Sequence, residues 1–510
     1  MNALVLWEIS RKQDYIFSSN RLKENIGASF IIEEIVEELP MEIEEDYSKN
    51  VVYNGGGGSL YNFEAVDKAK EFVSKISKEI LKSYPGIEVF FVIQEYDVEE
   101  DRVIDKIDES YHKLAVKKNR RMYSGIQNSF GIETVCRATG LPAEYKDEED
   151  RYISKEIKVK IDSAKDKRSK KFDKLLPSNI KSIREFDDLS KGDKNYLAVV
   201  HIDGNRMGEK FNELKTCFKY EDGNYKKTNE EYLVALKKFS KNVKEIFENA
   251  FKEMTSVIEK NRDNLKDDTK IDEDKFPVIP IIVAGDDVTY VTNGKIGIES
   301  ARVFLEYLND KEIELYKGKK IKLNACAGVA IVRISYPFAK AYQLAEDLCS
   351  NAKRKIIKDY YNEDKDFSLI DWHIEQGELS GTIADIREKF YKTLDGKELY
   401  MRPLYMNNNE KEVWTSYKNF KEAYKNISDK EIYEKKIPRS KLKQLRDVLK
   451  EGEKETERFL KVNNLENCFS RLEGTTGDFC FYNDKCMYYD AIEIMDLFIN
   501  DLKGDKNGKV

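Results

Sequence analysis

An α+β fold built on two ferredoxin-like modules is expected from three features of the sequence. A βαββαβ order of apolar and amphipathic runs opens the chain, the same order returns after about 190 residues, and helical spacing dominates the remainder. Residues 2–8 (NALVLWE) read as a buried strand, and Leu22, Ile26, Phe30, Ile31, Ile35 and Val36 give residues 20–38 helical periodicity. "VVYN" and "SLYNF" flank the four glycines Gly55, Gly56, Gly57 and Gly58 as a hairpin. Ala65, Ala69, Phe72, Val73, Ile76 and Ile80 then mark a helix over 65–83, and "IEVFFVIQEY" is the fourth strand. In the second module "YLAVVHID" (196–203) is the first strand, followed by a helix through Leu233, Leu236, Phe239, Val243, Ile246, Phe247, Ala250 and Met254. "VIPIIVAGDDVTYV" (278–291) is its hairpin, Ile298, Ala301, Phe304, Leu305 and Leu308 mark its second helix, and "LNACAGVAIV" (323–332) closes it.

The expected organisation is a first module over 1–97, a connector over 98–195, a second module over 196–380 and a helical C-terminal domain over 381–510. The connector should hold a helix to about Met122 and the basic run "KDKRSKKFDK" at 165–174. After the second module's last strand a helix is expected at about 338–357, then an irregular segment "LIDWHIEQGELSG", then helices from about 382 to 463. The pattern ends on "YYDAIEIMDLFI".

Composition narrows the function classes. With 40% apolar and 36% charged residues the 510-residue chain is expected to fold, and 88 basic against 95 acidic side chains give a net charge of −7, so no global basic field points to nucleic acid. Seven cysteines without a CxxC pair speak against both a disulfide framework and a zinc ribbon, and fit a reducing cytoplasm. No apolar run reaches the ~20 residues of a membrane helix, and the short apolar N-terminus does not read as a signal peptide. Three histidines and no His-Asp dipeptide exclude an HD phosphohydrolase.

Chemistry concentrates in the second module. In a ferredoxin-like sheet the third strand lies beside the first and antiparallel to it, which places Asp203 next to Asp286 and Asp287 of the hairpin turn. Alone, Asp286 and Asp287 read equally well as a polar turn. The partner carboxylate favours a site for Mg²⁺ or Mn²⁺, because clustered carboxylates repel one another unless cations neutralise them. Two ions per site would suit phosphoryl or nucleotidyl transfer. Gly204 and Gly208 would let backbone N–H groups approach a triphosphate, and Lys340, Lys353 and Arg354 lie where phosphates could pair with them, although a plain turn and surface lysines explain each one singly. The glycine run is no P-loop, since neither Lys-Ser nor Lys-Thr follows it and a strand comes next. It holds the hairpin position that "AGDD" holds in the second module.

Several segments together resemble the large polymerase-cyclase subunit of type III CRISPR effector complexes and its stand-alone relatives. They are "RKQDYIFSSNRLKENIGAS" (11–29), "YNGGGGSLYNF", "HIDGNRMG", "AGDDVTYV", "AGVAIVRISYPFAKAYQLAEDLCSNAK" (327–353) and "SLIDWHIEQG". The resemblance implies two facing palm domains, the second binding metal and a donor ATP through a GGDD turn and the first holding the acceptor ATP. Successive linkages and ring closure would then convert ATP to cyclic oligoadenylate, or a cyclic dinucleotide, with release of pyrophosphate, as a signal in antiviral defence. Carried onto this chain, Asp203, Asp286 and Asp287 take the catalytic and metal roles with the Ile202 backbone as a further ligand. Gly55 to Gly58, Gly204, Asn205, Gly208, Gly285 and Lys353 fall on the nucleotide side. Other type III subunits, guide or target RNA and a second copy of the chain are the partners implied.

The departures are specific. GGDD is here Ala284-Gly285-Asp286-Asp287, the HD nuclease domain of many members is expected to be missing, and Cys136 in "VCRATGLPA" is all that remains of the zinc ribbon. They motivate a rival reading, a catalytically weak or inactive scaffold subunit of an RNA-guided complex. A diguanylate or mononucleotide cyclase shares the palm chemistry but uses a symmetric dimer of one domain, which two unequal palms in one chain do not suit.

Overall fold

The computed structural model describes residues 1–502 apart from 121–130, 173, 178–182, 184, 190–194, 222–224, 270, 273–274, 362, 364, 376, 378–380, 408–410, 412, 429–436, 470 and 477–479. The first module starts with β1 (Asn2–Ser10), α1 (Lys12–Ile16) and α2 (Leu22–Glu33), which continues as one π-helical turn to Glu38. β2 (Val51–Gly55) and β3 (Gly58–Phe63) form the glycine hairpin, and α3 (Val66–Ser83) and β4 (Glu88–Tyr96) complete the unit. Its four strands lie in the order β2-β3-β1-β4, the ferredoxin-like arrangement. Five consecutive core positions, Ala3 to Trp7, are buried on β1 because helices cover one face and other chain segments the opposite one.

Between the modules, α4 (Val103–Asn119) ends before Met122, which lies outside the described residues, as do the side chains of most of the basic run at 165–174. α5 (Lys155–Phe172) packs on α2 so closely that a Cβ on Gly27 would fall 1.7 Å from the Lys160 carbonyl oxygen. Cys136 is buried in a small apolar cluster with Ile153, Ile157 and Ile161 rather than in a cysteine-lined site.

The second module contains β5 (Tyr196–Gly204), α6 (Met207–Thr216), the 36-residue α7 (Tyr225–Lys260), β6 (Val278–Ala284), β7 (Asp287–Asn293), α8 (Gly297–Asn309), β8 (Ala325–Arg333) and α9 (Phe338–Asp359). β9 (Leu369–Ile374) and the two-residue β10 (Leu404–Tyr405) extend its sheet, giving the order β10-β9-β8-β5-β7-β6. The segment expected to be irregular is thus a strand at its start. β9 runs parallel to β8 after the α9 crossover and is buried at all six positions. Asp371 hides that apolar run in the sequence. Its carboxylate sits in the core because Arg387 forks onto it at 2.6 and 2.9 Å, a planar bidentate pairing that offsets the cost of burying both charges.

The C-terminal part is carried mainly by α10 (Tyr417–Ser428), α11 (Arg439–Glu451), α12 (Glu453–Val462) and α13 (Tyr489–Ile494). It docks on α8 through the buried Glu299, which accepts from Tyr417 Oη at 2.5 Å and Lys421 Nζ at 3.1 Å. Among the described residues no helix is long and apolar enough to cross a membrane.

The spacing of α9 over the sheet is fixed by Gly328 on β8, where a Cβ would lie 2.0 Å from the Ala345 carbonyl oxygen and 2.5 Å from the Cys349 nitrogen. Gly328→Ala should therefore lower stability by about 1–3 kcal/mol or more, as overpacking does. Urea unfolding of the two proteins measures it; equal midpoints would show that the helix yields without cost.

Candidate functional site: three carboxylates facing a glycine turn

The acidic cluster is a product of strand register. Asp203, near the end of β5, pairs across the sheet with Asp287, the first residue of β7, and Asp286 occupies the two-residue turn between Ala284 and Asp287. Gly285 makes that turn at a φ of 65°, a left-handed conformation that glycine adopts without a Cβ penalty. Gly204 donates its N–H to the Asp286 carbonyl at 3.1 Å, and a Cβ there would fall 2.8 Å from Asp286 Cβ. Glycine at 204 is what lets the turn close against the strand. The topology expected from the sequence therefore brings Asp203, Asp286 and Asp287 together.

Their charges are balanced from two directions. Lys353 on α9 donates to Asp203 Oδ2 at 2.6 Å and to the Gly204 carbonyl at 2.9 Å. Lys12, the first residue of α1 in the other module, donates to Asp287 Oδ2 at 3.4 Å and to the Gly56 carbonyl at 2.8 Å. Burial, then the negative charges of Asp203 and Asp287, push the Asp286 carboxyl up to about 6. Asp287 Oδ1 is buried without a hydrogen-bond partner, 3.7 Å from His201 Nδ1, whose ring is already engaged with Thr289 Oγ1 at 3.0 Å. Glu346 on α9 is a further acid in this field, raised by burial and by the charges of Asp287 and Asp203.

The donor set fits a hard divalent cation in its chemistry: three carboxylates and an orphaned buried oxygen. As arranged here the neighbouring positive charge comes from Lys353 and Lys12, and among the described residues no group of three or more His, Cys, Asp or Glu side chains is spaced to hold a metal ion. Ile202 lies one residue inside the sheet, registered against Val288 on one side and Ala327 on the other, so its carbonyl faces a paired strand.

The glycine turn superposes on this plan residue for residue. Gly55 pairs with Gly58 as Ala284 pairs with Asp287, and Gly58 faces Glu8 of β1 as Asp287 faces Asp203. Ile9 donates to the Gly57 carbonyl at 2.8 Å as Gly204 donates to that of Asp286, and Arg11 and Arg206 follow with φ of 50° and 51°. The first module thus keeps one acid at the site, Glu8, tied to Lys118 of α4 as Asp203 is tied to Lys353 of α9. Gly57 and Gly58 stand where the second module has Asp286 and Asp287. Gly58 is required by contact, since a Cβ would lie 2.9 Å from Glu8 Cγ.

A cavity of about 480 Å³ separates the two turns. Gly55 and Gly56 border it on one side, Gly208, Gly285 and Asp286 on the other, and Tyr53, Tyr111, Phe211 and Tyr232 supply aromatic walls. Of the residues expected on the nucleotide side, Asn205 is committed elsewhere: its amide nitrogen donates to the Phe367 carbonyl at 2.8 Å and to Asp366 Oδ1 at 3.2 Å, tying the strand end to the start of β9. Of the three basic candidates on α9, Lys353 is the one with a hydrogen bond to the acids; Lys340 is exposed and Arg354 acts on Asp347.

Residues 196–362 match the family model for the Cas10/Cmr2 second palm domain. The second module is similar to the Cas10/Cmr2 second palm. Over 97% of this chain the fold is similar to 69% of a chain in the crystal structure of the Csm1-Csm4 cassette in complex with cA4, at 16% identity and a TM-score of 0.56. A chain of the same cassette in complex with one ATP is matched at 15% identity and a TM-score of 0.57, with the same shares covered. The Csm1-Csm4 subcomplex in the type III-A CRISPR-Csm interference complex gives the same identity, TM-score and shares. No curated protein matches the chain. The likeness to these structures is one of fold.

Because the Asp286 carboxyl is raised, its ionisation costs stability between 3.8 and about 6 and the full cost is present above that range. Asp286→Asn should melt above the wild type around pH 7.5, with the gap closing near pH 4. Calorimetry at the two pH values decides; a gap independent of pH would mean that Asp286 is not held at a raised pKa.

Proposed function

We propose that the chain is a metal-dependent nucleotidyltransferase that joins ATP into cyclic oligoadenylate, or a cyclic dinucleotide, and releases pyrophosphate. The observation that carries the reading is the Asp203–Asp287 register, which gathers three acids of which Asp286 borders a cavity whose far wall is a glycine turn with bare backbone. The complexes of similar structures with ATP and cA4 support it. A role in type III CRISPR defence, alongside a subunit of the Csm4 kind, is part of the same proposal.

The chain's own residues have definable tasks. Lys353 fixes the orientation of Asp203, and Gly204 and Gly285 hold Asp286 at the cavity's edge. Asp286, raised to about 6, is mostly ionised at neutral pH and able to take a cation. Tyr53, Tyr111, Phe211 and Tyr232 offer π-faces on which bases stack. Gly55 and Gly56 leave room on the acceptor side for a second nucleotide's phosphates to approach backbone. Bound divalent cations would lower the pKa of an attacking hydroxyl and neutralise the leaving pyrophosphate.

One observation favours the scaffold reading: two of the three acids already have lysine partners. Incubation of the protein with each NTP and Mg²⁺ or Mn²⁺, with and without candidate partners, followed by mass spectrometry of the products, separates the two. Cyclic products with ATP are expected, and an Asp286→Ala, Asp287→Ala variant should lose at least about 100-fold of the rate. No product under any condition, or full activity in the variant, would overturn the enzyme reading.

A further inference from the structure

Lys12 crosses from one module to the other. It starts α1 directly after β1, and its counterpart in the second module, the first residue of α6, is Met207, which carries no charge. The Lys12 stem lies along the glycine turn, where a Cβ on Gly57 would come within 3.1 Å of Lys12 Cδ. From there the ammonium reaches the Gly56 carbonyl at 2.8 Å and Asp287 Oδ2 at 3.4 Å. Gly55, Gly56 and Gly57 have φ of 145°, 61° and 89°, which turn the chain sharply enough to aim the Gly56 carbonyl at this lysine. The two side chains are mostly covered, 27% and 15% exposed, so the pair is only partly screened by water. Asp287 is left with one oxygen on the ammonium and the other without a hydrogen bond.

We propose that Lys12 is the resident counter-cation of Asp287 and competes with a divalent cation for it, so that loading metal on the second palm releases the second palm from the glycine turn of the first. An ammonium and a metal ion make the same electrostatic claim on a carboxylate, and only one can sit against Oδ2. When the metal takes Asp287, Lys12 keeps no carboxylate on the second palm and its remaining bond is to its own module. The glycine turn is then more than a wall: one side chain couples it to the acids, and that link depends on whether they are neutralised from within or by an ion. This proposal rests on the acids being a metal site.

Mn²⁺ binding to the full chain without nucleotide, followed by electron paramagnetic resonance, tests it. Lys12→Met keeps the stem against Gly57 and removes the charge; it should bind Mn²⁺ about two- to fivefold more tightly, the change expected for loss of a partly exposed ion pair. Lys237→Met is the control, because Lys237 also bridges the modules, to the Val51 carbonyl at 3.0 Å, without touching an acid; its Mn²⁺ affinity should equal the wild type's. Hydrogen exchange over residues 54–58 should rise when Mn²⁺ is added to the wild type and should be high and insensitive to metal in Lys12→Met. Equal tightening in both lysine variants, or none in Lys12→Met, overturns the proposal. If Asp287→Asn binds Mn²⁺ as the wild type does, the metal-site reading falls and the proposal with it; if Asp287→Asn loses binding while Lys12→Met stays unchanged, only the role of Lys12 falls.

Discussion

Antiparallel register between β5 and β7 sets Asp203 opposite Asp287, and much of the surrounding architecture answers the repulsion that this pairing creates. Directly paired residues in an antiparallel ladder have Cβ atoms about 5 Å apart, close enough for like charges to destabilise the sheet. A sheet slip of one residue would separate them, but it would also turn the buried faces of both strands outward, so the register is held by the core. The charges are therefore balanced where they stand, by Lys353 from the covering helix and Lys12 from the neighbouring module. Asp286, which has no such partner in the turn, is raised by burial first and by the charges of Asp203 and Asp287 second.

The same plan executed twice shows which parts are architecture and which are chemistry. Both modules keep the strand order, the left-handed arginine after the first strand, the backbone bond from strand to turn, and an acid–lysine pair linking the first strand to the helix after the fourth. They differ in the turn, Gly57-Gly58 against Asp286-Asp287, and at the first helical residue, Lys12 against Met207. Charge has been redistributed between modules rather than lost: the side without turn carboxylates supplies the lysine, and the side with them receives it.

The sequence made the two modules legible because strand and helix periodicities are strong wherever one face is buried, and a repeat shows the loops that correspond. The meeting of Asp203 with Asp286 and Asp287 followed from topology alone. Other features were less visible for physical reasons. β9 is interrupted by Asp371 and His373, which look like loop residues until Arg387, sixteen residues later, is seen to neutralise the aspartate. Glu8 stands in an apolar strand with nothing near it in sequence to mark it as the partner of Lys118. Lys12 is one of 88 basic residues, and its reach to Asp287 spans 275 positions, a separation that no local pattern encodes. Aligning the two modules from the strand end onward, Glu8 with Asp203 and Lys12 with Met207, is the signal that would have exposed both.

A cleft whose walls come from residues 53–56 and 284–286 of one polypeptide forms by an intramolecular event. A cyclase that builds its site from two identical chains has a working concentration set by its dimerisation constant; here the local concentration of one wall at the other is set by the chain itself. Dilution leaves the cleft intact. The covalent union also frees each wall to change without its twin, which an exact two-fold axis between identical subunits forbids. Inequality of the two turns is thus a property that one chain carrying both modules makes possible, and it gives the cleft a direction: one side rich in charge, the other in bare backbone.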